Sequence, residues 1–123
     1  MNQLIIIGNL TNDPELRSTP SGKSVCSFSV AVNHRKKVEG QPEADFFRVT
    51  AWSQLGENCA KYLSKGKKVS VTGSVSVRTY DTQNGEHRAS LEVTAIDCEF
   101  LSPKSESVDR GTGYQKVDEE FPY

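Results

Sequence analysis

The chain is poor in the residues on which metal sites and much catalysis depend. It has two histidines, His34 and His87, and three cysteines, Cys26, Cys59 and Cys98, in 123 residues. No two cysteines form a C-x-x-C pair and neither histidine stands at ligand spacing from one, so no metal and no cofactor are expected. An odd number of scattered thiols suits a reducing compartment and small buried side chains rather than a disulfide framework. Long apolar runs are missing too. The longest, Leu4 to Ile7, is far too short to cross a bilayer. No basic start leads into an extended apolar stretch, so no secretory leader is read and a cytoplasmic setting is expected. Only 35% of the residues are hydrophobic, which fits one small core with a polar appendage.

Neither sign of charge dominates, the formal net being −1. The distribution is uneven, however. Through Lys104 there are 13 Lys and Arg against 11 Asp and Glu, and after it 2 against 5. A slightly basic body carries an acidic tail. From Ser102 the hydrophobic periodicity ends, and prolines, serines, glycines and charges read as a flexible linker. The final six residues, Asp118-Glu119-Glu120-Phe121-Pro122-Tyr123, set three carboxylates before two rings. Rings in water gain nothing from burial, so the segment reads as bait for a partner with a basic rim and an apolar pocket; the plain alternative is a frayed terminus. The expected division is a folded domain over 1–102, a linker over 103–117 and an interaction tip over 118–123.

Periodicity sets out the body. Residues 4–9 read as a buried strand without alternation. Turn signals at Asp13-Pro14 and Pro20-Ser21-Gly22 precede residues 23–33, where Cys26, Phe28, Val30 and Val32 share one face. A polar loop over 34–44 leads to a third strand over 45–52. Ser53 is a suitable cap for one helix running to about Lys65, with Leu55, Cys59, Tyr62 and Leu63 on its buried face and Gly66 past its end. Residues 67–80 turn Val69, Val71, Val75 and Val77 inward, Asn84-Gly85 signals a type I′ hairpin, and residues 87–100 return with Ala89, Leu91, Val93 and Ala95 inward. Five strands with one helix between the third and fourth predict an all-β chain, a closed five-stranded barrel of the oligonucleotide/oligosaccharide-binding (OB) type. A split sheet with one covering helix would read almost the same.

The third strand carries the sharpest local signal. With Phe47, Val49 and Ala51 inside, period two leaves Phe46, Arg48, Thr50 and Trp52 outside. Arg78 and Tyr80 join that outer face from the fourth strand, and Arg35, Lys36 and Lys37 can arch over it; Lys65 and Lys68 are further candidate phosphate contacts. Rings stack on unpaired bases and cations meet phosphates, so the face suits single strands with little sequence preference. The competing readings bury Phe46 and Trp52 against the helix or another subunit, pair Arg48 with Glu92, and leave the lysines solvated. Tyr62 is read as helix core rather than as a base platform.

These residues also carry a resemblance. Asn2-Gln3-Leu4-Ile5-Ile6-Ile7-Gly8-Asn9-Leu10 with Asp13-Pro14-Glu15-Leu16-Arg17, then Phe28 to Asn33, Phe46 to Val49, Tyr62 to Gly66 and Val69 to Gly73, resemble the motifs of bacterial-type single-stranded DNA-binding proteins over nearly the whole chain. The resemblance implies a homotetramer that wraps single-stranded DNA without sequence specificity in replication, recombination and repair. It implies stacking by Phe46, Trp52 and Tyr80, and recruitment of replication and repair proteins by Asp118 to Tyr123. The chain departs from the pattern in three ways. Arg35, Lys36 and Lys37 stand where an additional stacking ring is common. Phe121 and Tyr123 replace an aliphatic residue and a phenylalanine. The linker is short.

Two other classes stay open. An OB-fold protein-interaction module of the primosome type would work as a dimer without an acidic tip. A small barrel nuclease would need carboxylates gathered around a metal, whereas Asp45, Asp81, Glu86, Asp97 and Glu99 form no recognisable cluster in the sequence. No enzyme is expected.

Overall fold

Alternating small and β-branched residues close the chain on itself. The computed structural model describes residues 1–36 and 38–102, so Lys37, the expected linker and the expected tip lie outside the described residues. In chain order the elements are β1 (Leu4–Leu10), β2 (Glu15–Ser18), β3 (Ser24–Asn33), β4 (Ala44–Trp52), α1 (Ser53–Tyr62), β5 (Lys68–Asp81) and β6 (His87–Phe100). The sheet order is β1-β5-β6-β4-β3-β2, and a further β1–β3 pairing closes β1, β5, β6, β4 and β3 into a five-stranded ring. The β4–β6 seam is parallel and the other pairings are antiparallel. This is the expected OB barrel, with its helix between the third and fourth strands of the ring.

The core is Ile6, Leu10, Cys26, Phe28, Val30, Val49, Ala51, Cys59, Leu63, Val69, Val71, Val93 and Ala95. No polar or charged residue is buried among those described, so the side chains of the interior are stabilised chiefly by apolar burial. Helix α1 lies across one end of the barrel. Gly56 makes this close seating possible, because a Cβ there would collide with the Ala51 carbonyl oxygen. Ser24 Oγ donates to Glu57 Oε2 at 2.8 Å, tying the helix to β3. No helix among the described residues is long and apolar enough to cross a membrane.

Several sequence expectations need correction. Strand β1 does alternate: Ile6 and Leu10 are buried, while Ile5 and Ile7 are exposed. Ser53 is not the helix cap. Trp52 takes that place with no side-chain capping bond, and Ser53 sits inside the first turn at φ 56°, the left-handed region that costs an L-residue roughly 1–2 kcal/mol. The helix stops at Tyr62, and Gly66 instead serves a turn closed by Lys67 N–H donating to the Ser64 carbonyl at 3.0 Å. The β5–β6 connection is not type I′: Gly85 takes positive φ (85°) but Asn84 does not. Val77 and Ala89 are exposed, because the β5–β6 hairpin runs on beyond the barrel as a two-stranded arm with no core beneath it.

Strand β2 was not expected. It is a wholly exposed edge strand paired to β3. Its hairpin uses the same five-residue loop as the β5–β6 arm. In both, the leading threonine N–H donates to the carbonyl four residues on (Lys23 and Glu86), and its own carbonyl and hydroxyl accept from the glycine and the residue after it.

Candidate nucleic-acid interface

The outer wall of β3, β4, β6 and β5 is built from cross-strand rows. Ser29, Arg48, Glu92 and Ser76 form one row, and Ser27, Thr50, Thr94 and Ser74 the next. Hydroxyl-bearing side chains thus flank a single guanidinium. Phe46 and Trp52 bracket the rows along β4, 59% and 43% exposed. Six strand steps separate them, about 20 Å. Within the single chain neither ring is buried against the helix. Arg48 stands in register with Glu92, yet no ion pair joins them among the described residues. Glu92 Oε2 accepts instead from Ser90 Oγ at 2.9 Å.

The loop after β3 rises from the Phe46 end of this wall. It starts beyond the Asn33–Ala44 pair, and its base is clamped by His34 Nε2 to Asp45 Oδ2 at 3.1 Å and by His34 N–H donating to the Glu43 carbonyl at 2.8 Å. Arg35 and Lys36 on it are exposed. At the far side, Arg78 and Tyr80 lie on the β5–β6 arm in register with Ser90 and Arg88, and Tyr80 is 44% exposed. The arm also carries a shallow groove lined by Tyr80, Asp81, His87 and Arg88, with His87 Nδ1 2.5 Å from Asp81 Oδ1 and Arg88 paired to Glu86 at 2.8 Å.

The two candidate lysines lie away from the Phe46 end of this wall. Asn9 pairs with both Ala31 and Lys68, and Ala31 pairs with Phe46. Lys68 therefore lies three strands round the ring from Phe46, about 14 Å at the usual strand spacing, and not beside it. Lys65 sits in the turn before β5, its N–H donating to Asp13 Oδ1 at 2.8 Å. The structure also brings in a cation that sequence reasoning missed. Arg17 on β2 pairs with Val25, which pairs with Trp52, so an exposed guanidinium completes the Trp52 row. Its only signal was the turn at Pro20-Ser21-Gly22, which folds β2 back on β3.

The three cysteines, remote in sequence, converge under α1. Burial first, then the neighbouring Cys59, pushes the Cys26 thiol up to about 11. Cys59 is held well above the usual thiol range, first by its hydrogen bond with Cys98 and then by burial. Both are inert, protonated core thiols at neutral pH. Among the described residues no group of three or more His, Cys, Asp or Glu is arranged to hold a metal ion. The carboxylates considered for a nuclease are dispersed, with Asp45 on His34, Asp81 on His87 and Glu86 on Arg88.

Exposed rings at both ends of one strand, hydroxyls between them and cations at three edges can stack flat apolar groups and neutralise a chain of anions. Comparison with known proteins agrees with that chemistry. The model of the single-strand binding protein family matches residues 1–101. Over 102 residues the chain is 45% identical to single-stranded DNA-binding protein 3 of Clostridium acetobutylicum, covering 82% of this chain and 71% of that protein. Over 117 residues it is 38% identical to single-stranded DNA-binding protein A of Bacillus subtilis, covering 94% and 68%. A solved deletion mutant of the single-stranded DNA-binding protein from Thermus aquaticus superposes with a TM-score of 0.63 at 33% identity, over 81% of this chain and 40% of that one.

Proposed function

The chain belongs to the single-strand binding protein family, and on that premise we propose that it is a non-enzymatic protein that binds and coats single-stranded DNA without sequence specificity during replication, recombination and repair. The observation that carries the reading is the exposed pair Phe46 and Trp52 on one strand with Arg48 between them. Cations draw the phosphates in and release counterions. Bases then stack on Phe46, Trp52 and Tyr80. Arg35, Lys36, Arg48 and Arg78 take phosphates beside those rings, with Arg17 at the Trp52 end, and Lys37 adds a further cation for the DNA. Lys65 and Lys68 meet strand that continues round the barrel. Duplex DNA hides its ring faces inside the stack, so it competes poorly.

The working unit in this proposal is a homotetramer. Ile5 and Ile7 are exposed on β1 of the single chain, and apolar side chains so placed favour contact with a second copy. The domain over 1–102 binds DNA, the linker over 103–117 tethers, and Asp118 to Tyr123 recruit replication and repair enzymes. Competition for a labelled oligo(dT) by unlabelled single strand and by duplex tests the reading: single strand displaces the label at far lower concentration. Equal competition contradicts it. Light scattering reads four copies, and a dimer contradicts that part.

A further inference from the structure

Tyr62 is not helix core. It is 54% exposed, and it ends a line of residues at i, i+4 and i+8 along α1 with Gln54 and Asn58, which share one face. Gln54 Nε2 donates to Asn58 Oδ1 at 3.0 Å. The Tyr62 ring stands 5.7 Å from the Phe100 ring, tilted by 42°, and Lys61 Nζ lies 5.3 Å from the Tyr62 centroid. Trp52 immediately precedes the helix. A helix of ten residues rises about 15 Å, so one exposed ring stands just before the start of α1 and a second at its end.

We infer that the Gln54–Asn58–Tyr62 line, closed by Phe100, is a second base-binding track that carries single-stranded DNA off the β4 wall and along α1. The inference rests on the single-strand reading above and adds a subsite to it. The chemistry is that of bases and not of a protein partner. A ring offers a stacking plane, the neighbouring ammonium meets a phosphate, and two carboxamides present donors and acceptors to the exposed edges of unpaired bases. Protein-docking patches centre on apolar side chains, and Gln54, Asn58 and Lys61 are none of these.

The test compares full-length wild type, Tyr62→Ala and Tyr62→Phe for oligo(dT) of about 5 and about 16 nucleotides, the span covered by single barrels, read by Trp52 quenching. Tyr62→Ala weakens the longer oligomer by about 5- to 160-fold, leaves the shorter unchanged, and Tyr62→Phe restores the loss. Equal affinities of Tyr62→Ala and wild type for the longer oligomer overturn the track. So does a Tyr62→Ala protein whose mass by light scattering differs from wild type, because the ring then serves a subunit contact. If wild type itself binds neither oligomer, the single-strand reading fails first, and the two failures are told apart.

Discussion

Arg48 stands directly across the parallel β4–β6 seam from Glu92, but Glu92 turns to Ser90 and leaves the guanidinium without an ion pair among the described residues. A cation held in a row of serines, beside a carboxylate it does not engage, is available to an anion from outside. Arg48→Ala lowers affinity for oligo(dT) and flattens its dependence on log salt by about 0.7, one phosphate contact on a single strand. Glu92→Gln acts in the opposite sense, raising affinity at low salt by about 0.2–1 kcal/mol, the scale of exposed charge pairs, with the gain fading at high salt. Titrations at several salt concentrations check both, and an unchanged slope in Arg48→Ala removes Arg48 from the phosphate path.

The rings answer to a different variable. Phe46→Ala costs about 1–3 kcal/mol of binding, the worth of one stacked base, while the salt slope stays that of wild type. Isothermal titration at two salt concentrations separates the two kinds of loss. A change in slope equal to that of Arg48→Ala contradicts the division between stacking and charge.

Ser53 holds a left-handed backbone next to Trp52. Glycine adopts that conformation freely, though it loses more chain entropy on folding. Ser53→Gly therefore stabilises the fold by about 0.5–1 kcal/mol, the relief of strain outweighing the entropy, and raises the thermal midpoint by a few degrees. A lower midpoint shows that the position is not strained.

The buried thiols set a limit at high pH. Cys26 rises from the ordinary 9.0 to about 11 in the folded chain. Below pH 9 both folded and unfolded chains keep this proton, and the stabilisation is complete. Between 9 and about 11 the unfolded chain loses the proton first, so stability falls through that window. Urea midpoints at pH 8, 9, 10 and 11 follow the loss, and Cys26→Ala shows a shallower fall. The same slope in both proteins assigns the loss to other groups.

Much of the barrel was legible because its inner face is written as period-two runs. Cys26, Phe28 and Val30, Val49 and Ala51, and Val69 and Val71 all point where their alternation put them. The same rule failed where a strand outlives its core. Val77 and Ala89 keep the pattern on the arm, yet nothing lies beneath them. It also lost phase at the irregularity between Thr72 and Gly73, where Thr72 faces Asp97 but Gly73 faces Ala95, leaving Ile96 unpaired and exposed. Strand β2 has no inward face to read, although T-P-S-G-K and T-Q-N-G-E fold alike and the second was already recognised as a hairpin. Of the site, Phe46, Arg48 and Trp52 were visible because they share one strand. Arg17 and the distance of Lys68 from Phe46 were not, because they depend on which strands pair.

Trp52 is the only tryptophan in the chain, so its fluorescence reports one point on the β4 wall. Titration with oligo(dT) quenches that signal strongly and saturably as bases stack on the indole, while duplex DNA of the same length leaves it nearly unchanged. A full-length protein that binds oligo(dT) by another measure with no change in Trp52 emission contradicts the account.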